Sequence, residues 1–185
     1  MVKITYSIQV CNESRELCSL LNFLLKVKDD EDNINVVVDS TNCTDKVNKV
    51  LDFFDKDIKI YRRPFDNFHV NAEFHTDNAT GDYVFGIDAD EMPQELLIKN
   101  IKNVIEKNDA EILTIPRMNI HPGITQEFID RYNLKINELG WVNWPDYQSR
   151  IYKKCDHIKS TQELHTKIRG SDKNIAFPAD LRSFG

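Results

Sequence analysis

Short apolar runs that alternate with helically spaced apolar residues constrain this chain more than any other feature. Residues 4–10, 34–38, 58–61, 83–87 and 111–115 each read as a buried strand. Between them Leu17, Leu20, Leu21, Leu24 and Leu25 recur at helical spacing, with Ser14 as a candidate N-cap. Val47, Val50, Leu51 and Phe54 form a second such face, and Leu96, Leu97, Ile101, Val104 and Ile105 a third, introduced by Pro93. A β-α-β-α-β succession predicts an α/β fold with a mostly parallel central sheet flanked by helices. Residues 62–78 show no clear period. The pattern weakens beyond Pro116, where residues 121–144 read as a lid or acceptor-binding loop and residues 149–153 as a further strand. The tail after Gly170 carries no signal, and Phe177-Pro178-Ala179 reads as coil.

At 185 residues the chain suits a single domain with a proper core, and 41% hydrophobic with 29% charged residues is ordinary for a globular protein. A net charge of -6 argues against a nucleic-acid partner. The four cysteines, Cys11, Cys18, Cys43 and Cys155, form no CxxC pair and read as reduced thiols. No apolar run is long enough to span a membrane, and Met1-Val2-Lys3 leads into a strand, so a cytoplasmic location is expected.

The strand at 83–87 ends in Asp88-Ala89-Asp90-Glu91, three carboxylates within four residues. Acids this close repel one another unless a cation or bound substrate lies nearby. A hard divalent cation with oxygen ligands, holding a phosphorylated substrate, resolves the repulsion; a solvated helix start is the plainer alternative. Asn12 and Glu13 follow the first strand and Asp39 the second, so all fall at the carboxyl edge of one sheet, where open α/β sheets bind ligands. Each has a local explanation as a helix-start or Asx-turn residue. The loop Cys11-Asn12-Glu13-Ser14 holds no glycine, which disfavours dinucleotide and P-loop chemistry and leaves a metal to neutralise any bound diphosphate.

These residues resemble the family 2 glycosyltransferases of GT-A fold, in particular the short lipopolysaccharide-core type and phage-encoded relatives, over roughly residues 3 to 170. The carriers are the Asn12-Glu13 turn, Asp39-Ser40-Thr41-Asn42-Cys43-Thr44-Asp45, Thr80-Gly81-Asp82-Tyr83 leading into Asp88-Ala89-Asp90-Glu91, the run from Pro145 to Tyr152, and Leu164-His165-Thr166. The resemblance implies one GT-A domain over 1–185, with a nucleotide-binding part at about 1–92, an acceptor-side part at about 93–170 and a short tail. It implies inverting transfer from a nucleoside-diphosphate sugar, UDP-linked in this reading, to a hydroxyl on a glycan, lipid-linked or other acceptor; a homo-oligomer is compatible with it. Asn12, Glu13, Asp39, Asn71, Asp88 and Arg150 would contact the nucleotide-sugar, Asp39 through the base, and Arg150 either steadies the diphosphate or extends a strand edge. Asp88, Asp90 and His165 would hold Mn²⁺ or Mg²⁺, although His165 could equally be an ordinary hydrogen-bonded histidine. A carboxylate would take the acceptor's proton: Asp146, set among Trp141, Trp144 and Tyr147, with Glu91 and Glu163 as competitors.

Two positions depart from the family's pattern. Val70 stands where a basic residue usually precedes the asparagine matched by Asn71, leaving Arg62 or Arg63 to supply that contact, and Thr166 follows His165 in place of an acid. These keep a catalytically inactive GT-A module that binds a nucleotide-sugar or glycan as an alternative. A haloacid-dehalogenase-type phosphotransferase with Asp88 as nucleophile is the remaining rival, disfavoured by Met92 and by three strands preceding the acids.

Overall fold

The computed structural model describes residues 2–161 and 167–179. The chain runs β1 (Ile4–Val10), α1 (Ser14–Val27), β2 (Asn33–Asp39), α2 (Asp45–Phe53), β3 (Lys59–Arg63), α3 (Phe68–Asn78), β4 (Tyr83–Asp88) and α4 (Glu95–Asn108). It continues through β5 (Ile112–Asn119), α5 (Gln126–Arg131), β6 (Val142–Lys153), β7 (Lys159–Ser160), β8 (Ile168–Arg169) and β9 (Asn174–Ala176). Seven strands form one sheet in the order β3-β2-β1-β4-β6-β5-β9, and β7 pairs with β8 in a separate two-stranded ladder. Within the seven-stranded sheet β6 runs antiparallel to both β4 and β5, while every other neighbouring pair is parallel. The expected α/β architecture with a mostly parallel, helix-flanked sheet is thus present.

Helices cover both faces of the inner strands: β2 carries the apolar run of Val36, Val37 and Val38, whereas β1 turns Ile4, Tyr6, Ile8 and Val10 to one face and Thr5, Ser7 and Gln9 to the other. Ile4, Tyr6, Ile8, Val36, Val38, Phe85 and Ile87 pack with Leu17, Leu20, Leu21 and Leu24 of α1, Val47 and Leu51 of α2, and Ile98, Ile101 and Ile105 of α4. Thr44 caps α2 by accepting from the Val47 amide, and Asn67 caps α3 through Val70. Ser14, the expected N-cap of α1, is instead its first helical residue; Glu13 holds the cap position. Gly81 precedes β4 where a Cβ would lie 2.7 Å from the Lys3 carbonyl oxygen, so the strand pair closes only over a hydrogen.

Three elements depart from the sequence reading. α3 occupies residues without helical apolar period because its inward face is polar, burying Asn71 and His75. β5 passes through Pro116, tolerated because β9 pairs only as far as Thr114 and leaves the proline's other side without a ladder. β6 begins at Val142, seven residues before the expected start, its outer part half-exposed and polar. The tail contributes β9, and Phe177 behind it is buried.

The chain lays β2 and β3 to one side of β1 and then returns to place β4 on the other. The carboxyl ends of β1 and β4 therefore flank a topological switch point, where a crevice opens.

Candidate functional site

Each side of the switch point carries polar side chains delivered by strand ends. At the end of β1, Glu13 folds back so that its Oε2 accepts from the amides of Cys11 (2.8 Å) and Asn12 (2.9 Å). Asn12 itself is exposed. Beside it, Asp39 ends β2 almost fully buried. Its Oδ2 accepts from Asn42 Nδ2 at 2.8 Å, and its Oδ1 from the Thr41 amide at 3.0 Å and the Phe65 amide at 3.4 Å. The Asn42 bond, with the backbone donors, holds the Asp39 carboxyl below its ordinary range against the opposing effect of burial. The Cys11 thiol faces Asp39 at 3.8 Å; burial and the neighbouring Asp39 and Glu13 charges push its pKa up, which disfavours the thiolate.

Below these loops α3 supplies a buried polar network. Asn71 donates to Gln9 Oε1 (2.6 Å) and to His75 Nε2 (3.1 Å), and its Oδ1 accepts from Arg63 Nη1 (3.2 Å). Since Nε2 of His75 accepts, Nδ1 carries the proton and donates to Ser7 Oγ at 2.6 Å. Burial lowers the His75 pKa to about 4; the nearby Asp88 charge opposes this and Arg63 adds to it. Arg63 also bonds the Val70 carbonyl and Asp66 and lies over the Phe74 ring at 4.9 Å.

On the other side of the switch point, β4 delivers the acid cluster to a cleft of about 560 Å³. Its lining includes Asp88, Asp90, Glu91, Arg117, Trp144 and Arg150. Arg150 Nη2 donates to Asp88 Oδ2 at 2.9 Å and also to Glu91 Oε1. Glu91 Oε1 accepts further from Arg117 Nη1 at 3.3 Å, and Glu91 Oε2 caps the Asp88 amide at 3.1 Å. Burial disfavours the charged guanidinium of Arg150, and the charges of Glu91 and Asp88 more than reverse this, raising its pKa. Arg117 in turn grips Asp146 through Nε (3.0 Å) and Nη2 (2.7 Å), while Asn119 (3.0 Å) and Gln148 (2.7 Å) donate to the same carboxylate. Burial would raise the Asp146 pKa, but these donors outweigh it and set it below the ordinary range. Asp146 is not among the residues lining the cleft.

Asp90 differs from its neighbours. It is exposed, lines the cleft, and its side chain has no hydrogen-bond or ion-pair partner among the described residues. Asp88 and Asp90 offer hard oxygen donors, the chemistry that suits Mn²⁺ or Mg²⁺. Among the described residues no group of three or more His, Cys, Asp or Glu side chains could hold a metal. Such a pair fits a divalent ion whose coordination is completed by substrate phosphates and water. His165 and Glu163 lie outside the described residues.

A family model described as glycosyl transferase family 2 matches residues 7–166. The chain belongs to glycosyl transferase family 2. No curated protein matches it in sequence. Similar solved structures include S. aureus TarS 1–349, at 17% identity and TM-score 0.65, covering 96% of this chain and 58% of that one. TarS 1–349 in complex with UDP-GlcNAc aligns at 18% identity and TM-score 0.54 over 66% of this chain and 36% of that one. The mannosyltransferase PcManGT from Pyrobaculum calidifontis, in complex with GDP-Man and Mn²⁺, aligns at 14% identity and TM-score 0.51 over 81% and 44%. These likenesses establish the GT-A fold, and the chain spans a little over half the length of TarS 1–349.

In this glycosyl transferase family 2 chain the structure gathers Asn12, Glu13, Asp39, Asn71, Asp88, Asp90, Glu91 and Arg150 at one edge of the sheet. Arg117, Gln9 and His75 join them without having been singled out from the sequence. Arg117 was hidden because β5 was expected to stop at residue 115. Gln9 and His75 were hidden because a polar residue that alternates with apolar ones in a strand, or lies in an aperiodic segment, carries no signal of its partners.

Proposed function

We propose that this chain transfers a sugar from a nucleoside-diphosphate sugar to an acceptor hydroxyl, with inversion and with the help of a divalent metal. The observation that carries this reading is the free carboxylate of Asp90 beside Asp88 at the switch point, across the edge from the buried turn at Asp39. Residues up to about 92 would form the nucleotide side and residues 93 to about 170 the acceptor side.

In this reading Asp39, fixed by Thr41, Asn42 and Phe65, presents a rigid ionised edge to the nucleobase. Glu13 keeps the β1 loop in shape so that Asn12 faces the nucleoside. Asp90, with Asp88, would hold Mn²⁺ or Mg²⁺, which when bound would neutralise the diphosphate and stabilise it as a leaving group. Arg150 supplies a second, protein-borne positive charge within the same cleft. The acceptor hydroxyl loses its proton to a carboxylate as it attacks the anomeric carbon. Asp146 is the weaker candidate for that base, because Arg117, Asn119 and Gln148 lower its proton affinity and it does not line the cleft. Glu91 lines it, so position alone favours it, since Arg150, Arg117 and the Asp88 amide engage its carboxylate as fully.

The test is a panel of UDP-, GDP- and other nucleotide-sugars assayed for binding, hydrolysis and transfer with and without Mn²⁺. Metal-dependent binding or turnover of at least one donor, lost in Asp90→Ala, is expected. No metal-dependent donor binding, or an unaffected Asp90→Ala variant, would refute the reading. Binding without turnover across a broad acceptor panel would favour an inactive GT-A module.

A further inference from the structure

The three acids at the end of β4 require positive charge nearby, and the folded chain provides it from its own arginines. Arg150 reaches Asp88 and Glu91 because β6 is the strand that runs against its neighbours, pairing Ile151 with Phe85 three residues before Asp88. Its guanidinium uses one nitrogen, Nη2, for both carboxylates, and its Nε is buried with no hydrogen-bond partner. A buried donor left unmatched is costly, so the guanidinium holds an unused bonding direction in this arrangement. Asp90, two residues from Asp88, is left out of the ion network altogether.

We propose that Arg150 occupies the cation position at Asp88, and that a divalent metal and this guanidinium compete for that carboxylate, which couples metal binding to diphosphate binding. The inference rests on the nucleotide-sugar reading above. A divalent ion on Asp88 and Asp90 would place like charges side by side if Arg150 kept its contact with Asp88 Oδ2. Arg150 must therefore release Asp88, keeping Glu91 as its anchor. Released, it turns Nη2 and the unmatched Nε toward an anion, and a diphosphate in the same cleft is the anion that satisfies them bidentately. Metal without diphosphate displaces the Asp88 ion pair and leaves the arginine with Glu91 alone; metal with diphosphate replaces the lost partner. Arg150 acts here as a positioning residue whose two partners are Asp88 and the diphosphate.

The experiment measures Mn²⁺ affinity of the full chain, by electron paramagnetic resonance of free Mn²⁺, with and without UDP, for the wild type and Arg150→Met. Without UDP the variant is expected to bind Mn²⁺ at least tenfold more tightly than the wild type, because its competitor is gone. The tightening that UDP produces, expected at roughly 5- to 150-fold in the wild type, should be largely lost in the variant. Arg150→Gln, which keeps an amide donor for Asp88 but no charge, carries the same expectation if Arg150→Met fails to fold by circular dichroism. Mn²⁺ affinity without UDP that is unchanged or weaker in a folded variant overturns the proposal and assigns Arg150 a structural role, leaving the proposed function standing. A wild type that binds neither UDP nor Mn²⁺ with UDP overturns both.

Discussion

Protonation of His75 should destabilise this protein as the pH falls, and the surroundings of the ring set the sign and the order of magnitude of the effect. The imidazole is buried between β1 and α3, with Nδ1–H donating to Ser7 and Nε2 accepting from Asn71. A second proton on Nε2 would set donor against donor at Asn71. Turning the Asn71 amide would repair that contact only by breaking its bonds with Gln9 and Arg63. The ring therefore stays neutral in the fold down to about pH 4, whereas the unfolded chain takes up the proton near the ordinary value of 6.5. Between these values the unfolded state binds more protons, so stability rises with pH there. Equivalently, it is lost as the pH falls from about 6.5 toward 4. At about 1.4 kcal/mol for each tenfold change in proton affinity, the gap corresponds to about 3 kcal/mol, a large share of a typical domain's 5–15 kcal/mol. Urea unfolding at intervals between pH 7.5 and 4 measures it. His75→Gln, which can bond Ser7 and Asn71 without titrating, should be less stable at pH 7 yet lose about 3 kcal/mol less over this interval. Equal losses in the two proteins would refute the reasoning.

Other outcomes follow from single contacts. Lys102 joins Asp29 (2.7 Å), Glu31 (3.4 Å) and Asp32 (2.9 Å), and Asp32 is buried while holding the Ile4 amide. Lys102→Met should cost roughly 3 kcal/mol at pH 7 by leaving that carboxylate uncompensated, and Asp32→Asn in the same chain should recover part of it in urea unfolding. Gly81→Ala must push the Lys3 carbonyl aside and should lower stability by about 1–3 kcal/mol, read as a lower Tm with unchanged circular dichroism. In a transfer assay Glu91→Gln should lower kcat by about 10²- to 10⁴-fold and also weaken donor binding, because it loosens Arg150; Asp146→Asn should lower kcat by less, with donor affinity largely kept. The opposite order would assign the base to Asp146.

Much of the fold was legible because covered strands bury apolar residues, in the run of Val36, Val37 and Val38 in β2 and on the Ile4, Tyr6, Ile8 and Val10 face of β1. α1, α2 and α4 were legible because each turns one apolar face inward, repeated every three or four residues. α3 escaped because it packs through Asn71 and His75, and polar residues look alike whether they face water or a buried partner. The outer part of β6 escaped because its half-exposed residues follow no apolar alternation. Asp39, Asp88 and Asp90 could be placed on one edge because strand ends follow from strand positions, but their partners could not.

The sequence by itself determined the layered architecture, the edge of the sheet that carries the acids and the lack of a glycine cradle for phosphate. These follow from local pattern: period, strand ends and turn chemistry. Only the tertiary structure decided which acids are paired and which is free. Arg150 and Arg117 lie 59 and 26 residues from Glu91 along the chain. They reach it because β6 reverses direction between β4 and β5. Charge pairing across a sheet depends on strand order and direction, and those are set by how the elements pack.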